Sequence, residues 1–169
     1  MKLPVRSIVG LLVVHVLAHR GEREKNTIEV AVFAFDGREG LFLASIQQWP
    51  MWPGTGHPSE PTSPNIANAV APEGGSREVW RKAFESLMPR VDAFAPDLII
   101  VSAGFDAHYR DPLASINLKA DDFGWVTRKL MDVADAGAQG RIVSVLEGGY
   151  DLQGLKESVA AHVSALMGA

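Results

Sequence analysis

The sequence predicts an α/β fold built on a parallel sheet, and three features carry that expectation. Two short apolar runs, 97–103 and 142–146, are rich in Ile, Val and Leu, which is the signature of buried strands. Between them, Phe123, Val126, Leu130 and Val133 recur at helical spacing across 121–136. After the second run, Leu152, Leu155, Val159, Val163 and Leu166 line one face of a further helix. Strand, helix, strand, helix in this order implies parallel strands joined by right-handed crossovers. Ligands of open α/β sheets sit beyond the C-terminal ends of the strands. Here those ends read Gly104-Phe105-Asp106-Ala107-His108 and Glu147-Gly148-Gly149-Tyr150, so one offers an acid and the other glycines with a phenol.

The remaining elements follow in order. The apolar run 8–17 reads as a buried strand or short core helix and is too short to span a bilayer. Lys2 and Arg6 precede it in the manner of a signal peptide, but His15 interrupts the run and no small-x-small cleavage site follows. Residues 19–25 are a charged, solvated loop, with His15 read as a core residue and His19 as a surface one. Residues 29–35 read as a strand closed by the Asp36-Gly37 turn, and 41–46 as another. Five prolines and two glycines make 49–64 a loop, and long ordered loops are usually functional. Val79, Phe84, Leu87, Met88 and Val91 give 78–94 one helical face, which Pro89 kinks or interrupts. Asp121 or Asp122 is suited to cap the next helix. Trp49 and Trp80 read as core anchors, His57 as a loop residue, His162 as a helix-surface residue and His108 as a loop residue behind the site.

Composition bounds the function. The 169 residues are 47% hydrophobic and 21% charged, ordinary for one globular domain with a full core. A net charge of -4 without a basic stripe argues against nucleic acid, and no segment is long enough for a membrane span. The absence of cysteine leaves only His, Asp and Glu to hold a metal. A cytoplasmic location is expected.

Four blocks carry a family resemblance: Ser45-Ile46-Gln47-Gln48-Trp49-Pro50 with Trp52-Pro53-Gly54-Thr55-Gly56; Asn65-Ile66-Ala67-Asn68; Ser102 to Leu113; and Leu146 to Leu152. In order and spacing, 41–167 resembles the C-terminal half of histone deacetylases, particularly the bacterial deacetylase-like proteins and acetylpolyamine amidohydrolases. The resemblance implies the three-layer arginase/deacetylase fold, a parallel sheet with flanking helices, here incomplete, as a single partial domain over 1–169. It implies a zinc-dependent amidohydrolase acting on acetylated lysine, polyamine or a similar acylated amine. Asp106 matches a zinc ligand and Tyr150 the phenol that donates to the oxyanion. Gly148 and Gly149 match the close backbone approach at the site, and Trp52 and Leu113 match walls of the acyl channel. Ser45 matches part of a structural monovalent-cation site, with potassium as the ion.

The resemblance also has gaps. The paired histidines of the family and its Asp-x-His metal segment have no counterpart, since Val13 stands where an Asp would precede His15 and 1–35 do not match. The chain alone is therefore expected to be weakly active or inactive, the alternative being a non-catalytic binding or structural protein that keeps the fold. Half of a larger sheet leaves an edge uncovered. Self-association or a complementing chain is expected, with the N-terminal apolar segment partly covering that edge.

Overall fold

The computed structural model describes residues 8–13, 34–51 and 54–168. Five strands form one parallel sheet: β1 (Ile8–Val13), β2 (Leu41–Trp49), β3 (Ile66–Pro72), β4 (Leu98–Ala103) and β5 (Ile142–Leu146), in the order β3-β2-β1-β4-β5. Four helices accompany them: α1 (Arg77–Glu85), α2 (Met88–Phe94), α3 (Ala120–Ala136) and α4 (Leu152–Leu166). The strand–helix alternation expected for the C-terminal part is present, and β5 has the bounds read from the sequence.

The register decides which residues meet the helices. Ala44 pairs with Ala67, Val101 with Ser144, and β1 joins β2 to β4 through Leu11, opposite both Ala44 and Val101. Because side chains alternate along a strand, Phe42, Ala44, Ile46, Ala67, Ala69, Ala71, Ile99, Val101 and Ala103 share one face. All are buried in one cluster with Trp80 and Phe84 of α1, Val91 of α2, and Phe123, Val126 and Leu130 of α3. Small alanines along β3 let α1 come down close to the sheet, and Trp80 stacks on Phe84 at 5.8 Å.

Several expectations are corrected. The N-terminal apolar run does not cover an edge: β1 lies inside the sheet between β2 and β4, because its parallel ladder is filled on both sides. The end of the 29–35 segment, Ala34–Phe35, is a helical turn rather than a strand, and the rest of it lies outside the described residues. Residues 78–94 form two helices. The chain breaks at Ser86–Leu87, and Pro89 takes a first-turn position of α2, where its missing N–H is harmless. Neither Asp121 nor Asp122 is the N-cap of α3. That position is Lys119, whose backbone N–H donates to Asp122 Oδ2 at 2.8 Å from within the first turn. Strand β3 went unread because Ile-Ala-Asn-Ala-Val-Ala-Pro is too rich in alanine to signal a strand. Trp80 is a core anchor, whereas Trp49 is only half-buried and packs its ring on His57 at 5.0 Å.

Two buried polar residues pin the helix layer. The Asp122 carboxylate is fully buried and receives Arg77 Nε at 2.6 Å and Arg81 Nη2 at 2.6 Å, so it ties α3 to α1. His162 is the second, and it is not on the helix surface. It is buried, with Nδ1 2.7 Å from Thr127 Oγ1 of α3 and Nε2 2.8 Å from Ser144 Oγ of β5. The Thr127 hydroxyl donates to the Phe123 carbonyl at 2.6 Å, so at Nδ1 it accepts the ring N–H. Ser144 then donates to Nε2, and a neutral ring satisfies both bonds.

Two outcomes follow. Asp122→Ala takes this carboxylate from Arg81 and leaves Arg77 only the exposed Asp121, and is expected to cost about 2 kcal/mol in denaturant unfolding. Burial holds the His162 ring below the ordinary histidine value. The folded chain therefore keeps it neutral while the unfolded chain takes up a proton below about pH 6.5. Stability from this residue is full above that pH and falls as the pH drops below it. Melting curves at pH 7.5 and 5.5 should show a smaller decrease in His162→Gln than in the parent chain.

Candidate active site

All five strands run the same way, so their C-terminal ends share one edge, where the chain leaving β4 meets the chain leaving β5. The β4–β5 ladder continues past the strands: Glu147 N–H donates to the Ala103 carbonyl at 3.0 Å, and Phe105 N–H to the Gly148 carbonyl at 2.8 Å. This crossing sets Asp106 against Gly148. A Cβ on Gly148 would lie 2.9 Å from Asp106 Cγ and closer still to its carboxylate oxygen, so only glycine fits beside this fully buried acid. Gly149 adopts φ +134°, a region that side chains rarely enter, and turns the backbone toward Tyr150.

Asp111 clamps the two loops together. Its Oδ1 accepts the Leu113 N–H at 3.0 Å and its Oδ2 the Tyr150 N–H at 2.7 Å. Arg110 adds an ion pair to Asp151 at 2.9 Å, and Asp151 caps α4 by accepting the Gly154 N–H at 2.7 Å. Beneath them, His108 is buried against the first turn of α4, where a Cβ on Gly154 would lie 2.5 Å from its Nδ1. Desolvation lowers the His108 pKa and keeps the ring neutral. Asp111 lies inside the Ser102–Leu113 block, but its role as a clamp between the two loops was not read from the sequence. Its position one residue before Pro112, in a loop after a strand end, was the available signal.

Tyr150 is partly exposed, at 43%, and opens to solvent at this edge. Burial of its ring, then the nearby carboxylates Asp106, Asp111 and Glu147, raise the phenol above its ordinary value. It is therefore a proton donor at neutral pH. Leu113 lies half-buried on the same loop as Asp111. Ser45 is elsewhere: it sits on β2, on the sheet face away from the four helices, and donates to Asn68 Oδ1 at 2.7 Å. On that same face Gln47 donates to the Thr55 carbonyl at 2.9 Å, while Gly56 packs on its amide. Trp52, His15 and His19 lie outside the described residues. The structure thus brings together Asp106, Gly148, Gly149, Tyr150 and Leu113, and sets Ser45 apart.

The family model described as "Histone deacetylase domain" matches residues 17–166. The chain belongs to the histone deacetylase family. Type-2 histone deacetylase 1 of Dictyostelium discoideum is 41% identical over 102 residues, which are 60% of this chain and 7% of that protein. Among solved structures, the HDA15 HD domain matches with a TM-score of 0.79 at 26% identity, covering 97% of this chain and 45% of that one. An acetylpolyamine aminohydrolase from Burkholderia pseudomallei matches with a TM-score of 0.77 over 96% of this chain and 45% of that one; at 19% identity this shows the fold alone. The chain spans less than half the length of each of these relatives. The parallel sheet with flanking helices is therefore part of the deacetylase fold. No described helix is long and apolar enough to cross a membrane.

Gly148→Ala should push its methyl group into Asp106 and destabilise the chain by about 1–3 kcal/mol. Tyr150→Phe should stay within about 0.5 kcal/mol of the parent, because the ring is half in solvent. Ultraviolet titration of the parent minus Tyr150→Phe should show this phenol ionising above pH ~10.

Proposed function

We propose that this chain supplies one wall of a deacetylase-type amidohydrolase site for acetylated lysine, polyamine or a related acylated amine. The observation that supports this most is the buried Asp106 carboxylate held by Gly148 beside the Tyr150 loop, at the shared end of β4 and β5. In this reading the Tyr150 phenol, held protonated, donates its O–H to the oxygen of the amide as negative charge gathers there. Asp111 fixes the Tyr150 backbone, and Gly148 and Gly149 let the main chain approach the reacting group. Leu113 lies along the apolar part of the substrate path.

Zinc is the metal the family resemblance implies, with Asp106 as a ligand. The described residues do not fit a complete site: none of them form a group of three or more His, Asp or Glu able to hold a metal ion. Zinc sites of this chemistry need three protein ligands with one position left open. No reaction step is therefore assigned to the metal. The same observation favours a second reading, a binding protein that keeps the fold and the Tyr150 wall without turnover.

Elemental analysis after dialysis, with a fluorogenic acetyl-lysine assay, separates the two readings. Well below one zinc per chain, with weak turnover that Tyr150→Phe abolishes, supports the amidohydrolase wall. Binding of an acetylated peptide without turnover supports the second reading. One zinc per chain with full activity would show that the ligand set is completed by residues other than those described.

A further inference from the structure

Gln48 lies on β2, a strand that carries none of the residues gathered at the candidate site. It stands near the C-terminal end of β2, opposite Ala71 of β3, and it is buried. Alternation along the strand puts it on the helix side of the sheet with Ala44 and Ile46. Its Oε1 accepts the Ser115 N–H at 2.8 Å, across sixty-seven positions of sequence. The Ser115 carbonyl in turn accepts the Gly74 N–H at 2.8 Å, from the turn between β3 and α1. The Ser115 side chain is exposed, so these bonds, and not burial, hold the residue in place.

Leu113 is caught between two anchors. Two residues before it, Asp111 accepts both the Leu113 N–H and the Tyr150 N–H. Two residues after it, Ser115 is fastened to β2 and to the β3–α1 turn. The loop thus crosses the shared C-terminal edge of the sheet from the β5 side to the β3 side, with Leu113 at mid-span. Beyond Ser115 the chain is fixed again. Ile116 and Leu118 are buried, the Leu118 N–H donates to the Ala107 carbonyl at 3.0 Å, and the Tyr109 N–H donates to the Leu118 carbonyl at 2.9 Å. Loss of the Gln48 bond would therefore loosen the span around Leu113 and leave the rest of the loop seated.

We infer that Gln48 is a positioning residue for substrate: through Ser115 it fixes how far Leu113 stands into the acyl path, and so sets the size of acyl group accepted. This rests on the amidohydrolase reading above, in which Leu113 lines the apolar part of that path. Telling apart acyl groups that differ only by methylenes needs a wall that does not yield. A wall at the middle of a span pinned at both ends meets that need. A glutamine amide oxygen suits the far anchor, because it accepts a backbone N–H without bringing a charge to a buried position.

Two variants test this on the full chain. Gln48→Met keeps the length of the side chain and removes the acceptor, whereas Gln48→Glu keeps an acceptor. Amide hydrogen exchange read by NMR should quicken about fivefold at Ser115 in Gln48→Met and return toward the parent rate in Gln48→Glu. Exchange at Leu118 should stay unchanged in both, which reports that the surrounding fold is intact. Fluorescein-labelled peptides carrying acetyl-lysine or butyryl-lysine are then titrated by anisotropy. The parent should favour the acetyl peptide. The ratio of the two Kd values should shrink about threefold in Gln48→Met and recover in Gln48→Glu. Unchanged exchange at Ser115, or an equal rise at Leu118, would overturn the inference. So would a parent that binds both peptides alike, or a ratio that holds in Gln48→Met while Ser115 exchange quickens; either leaves the acylated-amine reading standing. A parent that binds neither peptide would sink that reading, and the inference with it.

Discussion

The candidate site depends on the β4–β5 pairing running on past the ends of the strands. Because Phe105 N–H reaches the Gly148 carbonyl, the two loops leave the sheet in step, and Asp106 meets a glycine where any other residue would collide with it. Asp111 then closes the crossing with two backbone hydrogen bonds, one to each loop. A buried acid and a half-exposed phenol are thus held at one sheet edge mostly by main-chain contacts.

The layer behind that edge is held differently. Aromatic and aliphatic packing supplies the bulk of the core, but two polar residues determine how its elements seat. Asp122 sits between two arginines of α1, and His162 spans α3 and β5 with both ring nitrogens bonded. Such groups are costly to bury unless every bond is made. They therefore favour one arrangement of α1, α3 and α4 over neighbouring packings of the same apolar faces. Since α4 begins at Asp151, next to Tyr150, seating α4 correctly also positions the loop that carries the phenol.

The open edge of β5 and the partial ligand set belong to the same side of the molecule. Asp106 and the Tyr150 loop line the site from β4 and β5, and beyond β5 the described sheet stops. The relatives in solved structures are more than twice as long as this chain, and their fold is matched over nearly all of it.

Much was legible in the sequence, for local reasons. Strands β4 and β5 and helices α3 and α4 announced themselves because periodicity and glycine-rich strand ends are written within ten or so residues. The same local blocks carried the family. Asp106 and Tyr150 were named because each closes an apolar run. Other features rest on distances that no window of sequence contains. Residues 8–13 look like any apolar run, and only parallel pairing on both sides makes them an interior strand. His162 has the spacing of a helix-surface residue, but Thr127 and Ser144, thirty-five and eighteen positions away, turn it into a buried bridge. Asp111 lies in the Ser102–Leu113 block, yet its bond to the Tyr150 backbone, thirty-nine positions away, exists only in the folded chain. Sequence determined which segments become strands and helices and what chemistry their ends carry. Tertiary structure decided which polar groups meet, because hydrogen-bond partners come from residues far apart in the chain.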